Sequence, residues 1–159
     1  MMRIKFVSIT STCTKIVIAT EIGEFEGRAY FNKEVDKLNP SEIIGCRIAE
    51  NRAKIKYYKE KIKRKKYEMK GIDRLIAAMP SNKSGYAYAV RLRTAIQKEI
   101  NECIEEWNIC ERDINAAIEG RAMYVRSRTI DKKERDKFFK DLGNALKQLD
   151  TATKDKKVK

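Results

Sequence analysis

Two heptad ladders separated by one short polar break constrain this chain more than any other feature. The first reads Ile48, Ile55, Ile62, Met69 and Ile76, with a second seam at Ile44, Tyr58, Ile72 and Met79. The second reads Ile100, Trp107 and Ile114, with Ile96, Cys103, Cys110 and Ala117 beside it. A seven-residue repeat keeps an apolar seam on one side of a slightly underwound helix. Between the ladders stands Pro80-Ser81-Asn82-Lys83-Ser84-Gly85. Two ladders joined by so short a break must fold back on each other, so the chain contains a long antiparallel helical hairpin.

The strand signals lie before the hairpin. Arg3 to Thr10 is rich in β-formers, and Thr14 to Thr20 contains Ile16-Val17-Ile18. Glu24 to Phe31 alternates, with Phe25, Gly27, Ala29 and Phe31 on one face and Glu24, Glu26, Arg28 and Tyr30 on the other. The short breaks between these runs predict a three-stranded antiparallel meander over residues 1–35, packed on the base of the hairpin. Asn39-Pro40-Ser41-Glu42 reads as a helix start, with Asn39 as the cap and Pro40 in the first helical position. The first helix then runs to about Met79, which Pro80 pushes out of helical geometry. The second helix is expected from Ser84 to Gly120, a good left-handed cap.

Beyond Gly120 the pattern predicts a strand over 121–130 and an amphipathic helix opening at Asp131 and bearing Phe138, Phe139, Leu142, Leu146 and Leu149. The fold class is therefore α+β. The expectation is one domain over 1–150, with 40–120 as the hairpin and 151–159 as a flexible basic tail.

The chain of 159 residues carries a formal net charge of +13. The excess sits in two places. Residues 40–79 hold 12 basic and 5 acidic groups and residues 121–159 hold 13 and 6, whereas residues 80–120 are acidic on balance. The two hairpin helices therefore attract each other. No apolar run is long enough to span a bilayer, and Met1-Met2-Arg3-Ile4-Lys5 lacks the apolar core of a signal peptide. A soluble, cytoplasmic protein is expected.

There is no histidine, which removes the commonest general base and most metal sites. The four cysteines, Cys13, Cys46, Cys103 and Cys110, form no Cys-x-x-Cys pair and read as reduced, buried thiols. No Walker loop or dinucleotide fingerprint is present. The sequence reads as a non-enzyme that needs no cofactor or metal.

Three segments combine cations with other recognition groups. Lys59 to Lys66 reads Lys-Glu-Lys-Ile-Lys-Arg-Lys-Lys, either a phosphate-binding stripe or a solvated helix face. These charges ring the helix, leave only Ile62 for the seam, and specify no single stripe. Arg121 to Arg128, read as a strand, sets Tyr124, Arg126 and Arg128 on one face, either a surface that binds phosphates while stacking a base or an ordinary amphipathic strand. The turn around Asn82, followed by Tyr86, Tyr88, Arg91 and Arg93, places amide, aromatic and cationic groups at a helix N-terminus, either an anion site or plain turn and capping chemistry. Glu26-Gly27-Arg28-Ala29 also echoes Glu119-Gly120-Arg121-Ala122. If the two segments paired in one sheet, Arg28 and Arg121 would share a pocket.

Phe25-Glu26-Gly27-Arg28-Ala29, an acidic linker, and Gly45-Cys46-Arg47-Ile48-Ala49-Glu50-Asn51-Arg52-Ala53-Lys54-Ile55-Lys56-Tyr57 together resemble small phage accessory proteins. Those proteins place a β-meander before a long helical hairpin whose turn carries a Ser/Asn/Lys/Tyr segment followed by arginines, like Ser81 to Arg93 here. The resemblance covers roughly residues 20 to 118 and is greatest to the Thoeris anti-defence sponges. It implies a homo-oligomer that sequesters, without cleaving, a nucleotide-derived immune signal: a cyclic ADP-ribose isomer or a cyclic oligonucleotide. Arginines and an aromatic would then clamp a diphosphate and a base at a subunit interface. The positions this nominates are Arg28, Arg52, Asn82, Tyr86, Arg91, Arg126 and Arg128. The alternatives are a protein-binding inhibitor of a bacterial defence enzyme and a basic nucleic-acid-binding accessory protein.

Overall fold

The computed structural model describes residues 1–31, 41–82 and 84–155, with the backbone alone at 124–132, 135, 139 and 145–155. Three antiparallel strands come first: β1 (Arg3–Ile9), β2 (Cys13–Thr20) and β3 (Gly23–Tyr30), in spatial order β1-β2-β3. The expected meander is present. The β1–β2 turn is held by Thr10, whose Oγ1 accepts from the Cys13 amide at 3.0 Å. The β2–β3 turn leaves only Glu21 and Ile22 between paired Thr20 and Gly23. Gly23 closes it with φ +141°, a conformation that L side chains rarely adopt.

Two helices follow, α1 (Glu42–Ala78) and α2 (Ser84–Asp155). Ser41 caps α1 in extended geometry, its Oγ accepting from the Ile44 amide at 3.4 Å. The cap is therefore Ser41, and Glu42 opens the helix; Asn39 and Pro40 lie outside the described residues. At the other end Met79 leaves the helix with φ −98° and ψ 137°, as a residue before proline must.

One face of α1 covers the sheet. Gly45, Ala49, Ala53 and Tyr57 recur every four residues and so share a face. They meet Thr14, Ile16 and Ile18 of β2 and Gly27 and Ala29 of β3, on the face the alternation assigned to the core. Ala49 and Ala53 are fully buried. Their small size lets the α1 backbone touch the β3 backbone at Gly27.

The heptad face of α1 packs on α2. Ile62 and Ile72 cluster with Ala89, Ile96, Ile100 and Cys103, and Met69, Ile76, Met79 and Trp107 close the sides. Cross-helix pairs fix the direction. Asp73 accepts from Arg93 at 2.6 Å, Lys65 meets Glu99 at 3.0 Å, Lys59 lies over Trp107 at 4.5 Å and Arg47 reaches Asp113 at 3.4 Å. Partner numbers rise on α2 as they fall on α1, so the hairpin is antiparallel. Asn51 and Lys65 occupy the two gaps in the second α1 seam. Asn51 is buried, and Lys65 bridges Glu68 and Glu99.

The chain divides into two compact units, Met1–Glu119 and Gly120–Lys159. The first holds the sheet, α1 and α2 as far as Glu119. Here three expectations fail. Residues 121–130 are helical, not a strand; α2 does not stop at Gly120; and no new helix opens at Asp131, because α2 continues to Asp155. Gly120 does not adopt left-handed geometry: Gly23 alone among the described glycines has positive φ.

A mid-helix glycine costs about 1 kcal/mol relative to alanine, and the helix formers around it, Ala116, Ala117, Glu119, Arg121, Ala122 and Met123, outweigh that cost. The echo of Glu26-Gly27-Arg28-Ala29 in Glu119-Gly120-Arg121-Ala122 is a strand in one place and a helix in the other, so the two segments do not pair. Of the expected tail, 151–155 belong to α2 and 156–159 lie outside the described residues.

Candidate functional site

The basic segment of α1 is sorted by its carboxylates. Lys54 pairs with Glu50 at 2.6 Å, Lys61 with Glu21 at 3.2 Å and Arg64 with Glu60 at 3.2 Å. Lys65 takes Glu68 and Glu99, and Arg47 takes Asp113. Among the described residues, no carboxylate pairs with Arg52, Lys56, Lys59, Lys63, Lys66 or Lys70. Those six recur at intervals of four, three, four, three and four residues, which puts them on one face of the helix in two columns. The five lysines are exposed. From Arg52 to Lys70 the columns run roughly 27 Å along the axis. The charges that ring the helix in sequence therefore resolve into a stripe and a set of neutralised neighbours.

Such a stripe has a cost. Like charges three or four residues apart destabilise a helix by about 0.2–0.5 kcal/mol per pair. Glu60 and Glu68 lie beside the columns, but Arg64 and Lys65 engage them. A concavity of about 840 Å³ is lined by Lys59, Lys63, Lys66, Tyr67 and Lys70, and also by the paired Glu60, Arg64 and Glu68. Tyr67 is 81% exposed.

Within the first unit, the residues nominated from the resemblance fall into two groups. Arg52 Nη1 donates to the Arg28 carbonyl oxygen at 2.7 Å, so these two meet where α1 crosses β3. The Arg28 guanidinium is held by Glu26, which also takes Lys15 at 2.7 Å. These cations hold the Glu26 carboxyl down at about 2, the Lys15 hydrogen bond contributing most. Asn82 is exposed in the hairpin turn, Tyr86 half-buried and Arg91 exposed at the start of α2. From Arg52 to the end of α1 is roughly 40 Å, so the two groups stand at opposite ends of the hairpin. Arg126 and Arg128 lie on α2 in the second unit, and their side chains are outside the described residues.

A second polar cluster escaped the sequence reading. Tyr57 donates its hydroxyl to Glu21 at 2.6 Å and accepts from Lys61 at 2.9 Å. The Tyr57 hydrogen bond, followed by a backbone amide and Lys61, lowers the Glu21 carboxyl to about 2. Burial, then Glu21, pushes the Tyr57 hydroxyl up. The hydroxyl thus stays protonated and uses both its donor and an acceptor position. It ties the β2–β3 turn to α1. The signal available was the four-residue spacing of Tyr57 and Lys61.

Burial also pushes up the thiols of Cys103 and Cys110, which keeps them from acting as thiolates. Among the described residues no group of three or more Cys, Asp or Glu side chains is placed to hold a metal ion. None of the described helices is long and apolar enough to cross a membrane. No family model matches the chain, and no curated protein or solved structure is significantly similar to it.

Proposed function

We propose that the protein is a non-enzymatic binder of nucleic acid, acting in the cytoplasm and holding phosphates along the two lysine columns of α1. One observation carries this reading: six cations on one helix face have no carboxylate partner among the described residues, while their neighbours are paired. A polyanion laid along the columns relieves the repulsion between them and releases its own counterions. The test is fluorescence anisotropy with a labelled oligonucleotide from about 50 to 200 mM salt. Five lysine contacts correspond to a log–log slope of roughly −3.5 on a single strand. A salt-independent affinity, or no binding at the lowest salt, overturns the proposal.

A second reading is sequestration of a small nucleotide-derived signal, as a phage anti-defence role requires. Its support is the contact of Arg52 with the Arg28 backbone carbonyl, which brings two nominated positions together at the α1–β3 junction. Because Asn82, Tyr86 and Arg91 stand at the other end of the hairpin, this reading needs a second copy of the chain to complete the clamp. Thermal shift with cyclic ADP-ribose isomers and cyclic dinucleotides tests it: ligand at about 100 times its Kd adds roughly 2.7 kcal/mol. A flat response removes it.

A further inference from the structure

We infer that Tyr67 is a base-stacking platform, so that the α1 columns take a single strand with open bases in preference to a duplex. This inference rests on the phosphate-binding reading. The ring is 81% exposed, and exposure alone carries nothing, since single apolar groups are common on surfaces. Its placement carries the argument. Lys63 stands four residues before Tyr67, Lys66 one before and Lys70 three after, all exposed and without a carboxylate partner among the described residues. The same four residues line the concavity on α1.

The other tyrosines of this helix are used inside the fold. Tyr57 packs on Phe25 and Tyr58, and Tyr58 closes the hydrophobic clusters. Among the described residues no ring or cation packs on Tyr67. A strand whose phosphates follow the lysines brings its bases past an unoccupied aromatic face. Stacking there is indifferent to base identity, because every base has a π-face. In a duplex those faces are covered by neighbouring base pairs, so the ring contributes only to a single strand.

The experiment uses the full chain and three probes: a labelled single strand of about 12 nucleotides, the matching duplex, and long-chain inorganic polyphosphate, which has charge and no bases. Wild type is compared with Tyr67→Leu and Tyr67→Phe, with circular dichroism confirming that each variant is helical. Tyr67→Leu is expected to weaken single-strand binding by about fivefold or more, the lower bound for one base stack, and to leave polyphosphate binding unchanged. Tyr67→Phe, which keeps the ring, is expected to retain single-strand affinity. Equal single-strand affinity for Tyr67→Leu and wild type overturns the inference while the phosphate reading stands. If polyphosphate and both oligonucleotides fail to bind at about 50 mM salt, the phosphate reading falls and takes this inference with it.

Discussion

A Cβ placed on Gly27 would stand 1.8 Å from the carbonyl oxygen of Ala49. The neighbouring atoms are backbone, including the Ala53 nitrogen at 2.5 Å, so no side-chain rotation relieves the clash. Gly27→Ala is expected to force β3 off α1 and to cost about 3 kcal/mol or more, at or above the upper end for overpacking. The urea midpoint measures it. Gly71 gives the contrast: nothing lies within 4 Å of its Cβ position, and it sits inside α1. Gly71→Ala is expected to stabilise by about 0.5–1 kcal/mol. Equal midpoints for the two variants would contradict the close β3–α1 approach.

Glu21 sets an acid limit on the same junction. Its folded carboxyl lies at about 2 against an ordinary value of 4.5, so in that window the unfolded chain binds more protons. The stabilisation is complete above about 4.5 and is lost as pH falls towards 2. Glu26, also at about 2, adds to the same window, though its exposure to solvent weakens its share. Tyr57→Phe removes the largest cause of the Glu21 shift. It is expected to cost about 0.5–1.5 kcal/mol near neutral pH and to shrink the loss between about pH 5 and pH 2. Urea midpoints across that range decide it, and parallel profiles for wild type and variant would sink the assignment.

The lysine columns predict opposite signs for stability and binding. Lys63→Glu replaces repulsion from Lys59 and Lys66 with attraction, so it is expected to raise stability by about 0.2–0.5 kcal/mol per pair at low salt. The same change is expected to weaken oligonucleotide binding and lower the salt slope by about 1. Lys54→Gln, which breaks a pair with Glu50, is expected to leave the slope nearly unchanged. Similar slopes for the two variants would mean that the columns are not the phosphate track.

These columns show where sequence reading stops. Hydrophobic periodicity made the hairpin legible, because a buried seam at Ile62, Ile72, Ile96 and Ile100 needs no partner information. The alternation of Glu24 to Phe31 made β3 and its inner face legible for the same reason. The columns have equally regular spacing, yet Lys61, Arg64 and Lys65 fill the gaps between them. Only contacts with Glu21, Glu60 and Glu99 tell the neutralised cations from the others. Separation along the hairpin was equally hidden: Arg52 and Asn82 look comparable as residue types, but α1 holds them at opposite ends of one chain.

Gly120 gives the sharpest test of the C-terminal part, because the two readings of it differ in sign. A glycine that caps a helix in left-handed geometry resists replacement, and Gly→Ala there costs about 1 kcal/mol. In the structure Gly120 lies within α2, its φ is not positive, and a Cβ would meet nothing within 4 Å. Gly120→Ala should then stabilise by about 0.5–1 kcal/mol and raise the helical circular-dichroism signal. A destabilised variant with less helix would restore the cap and end α2 where the sequence pattern placed its end.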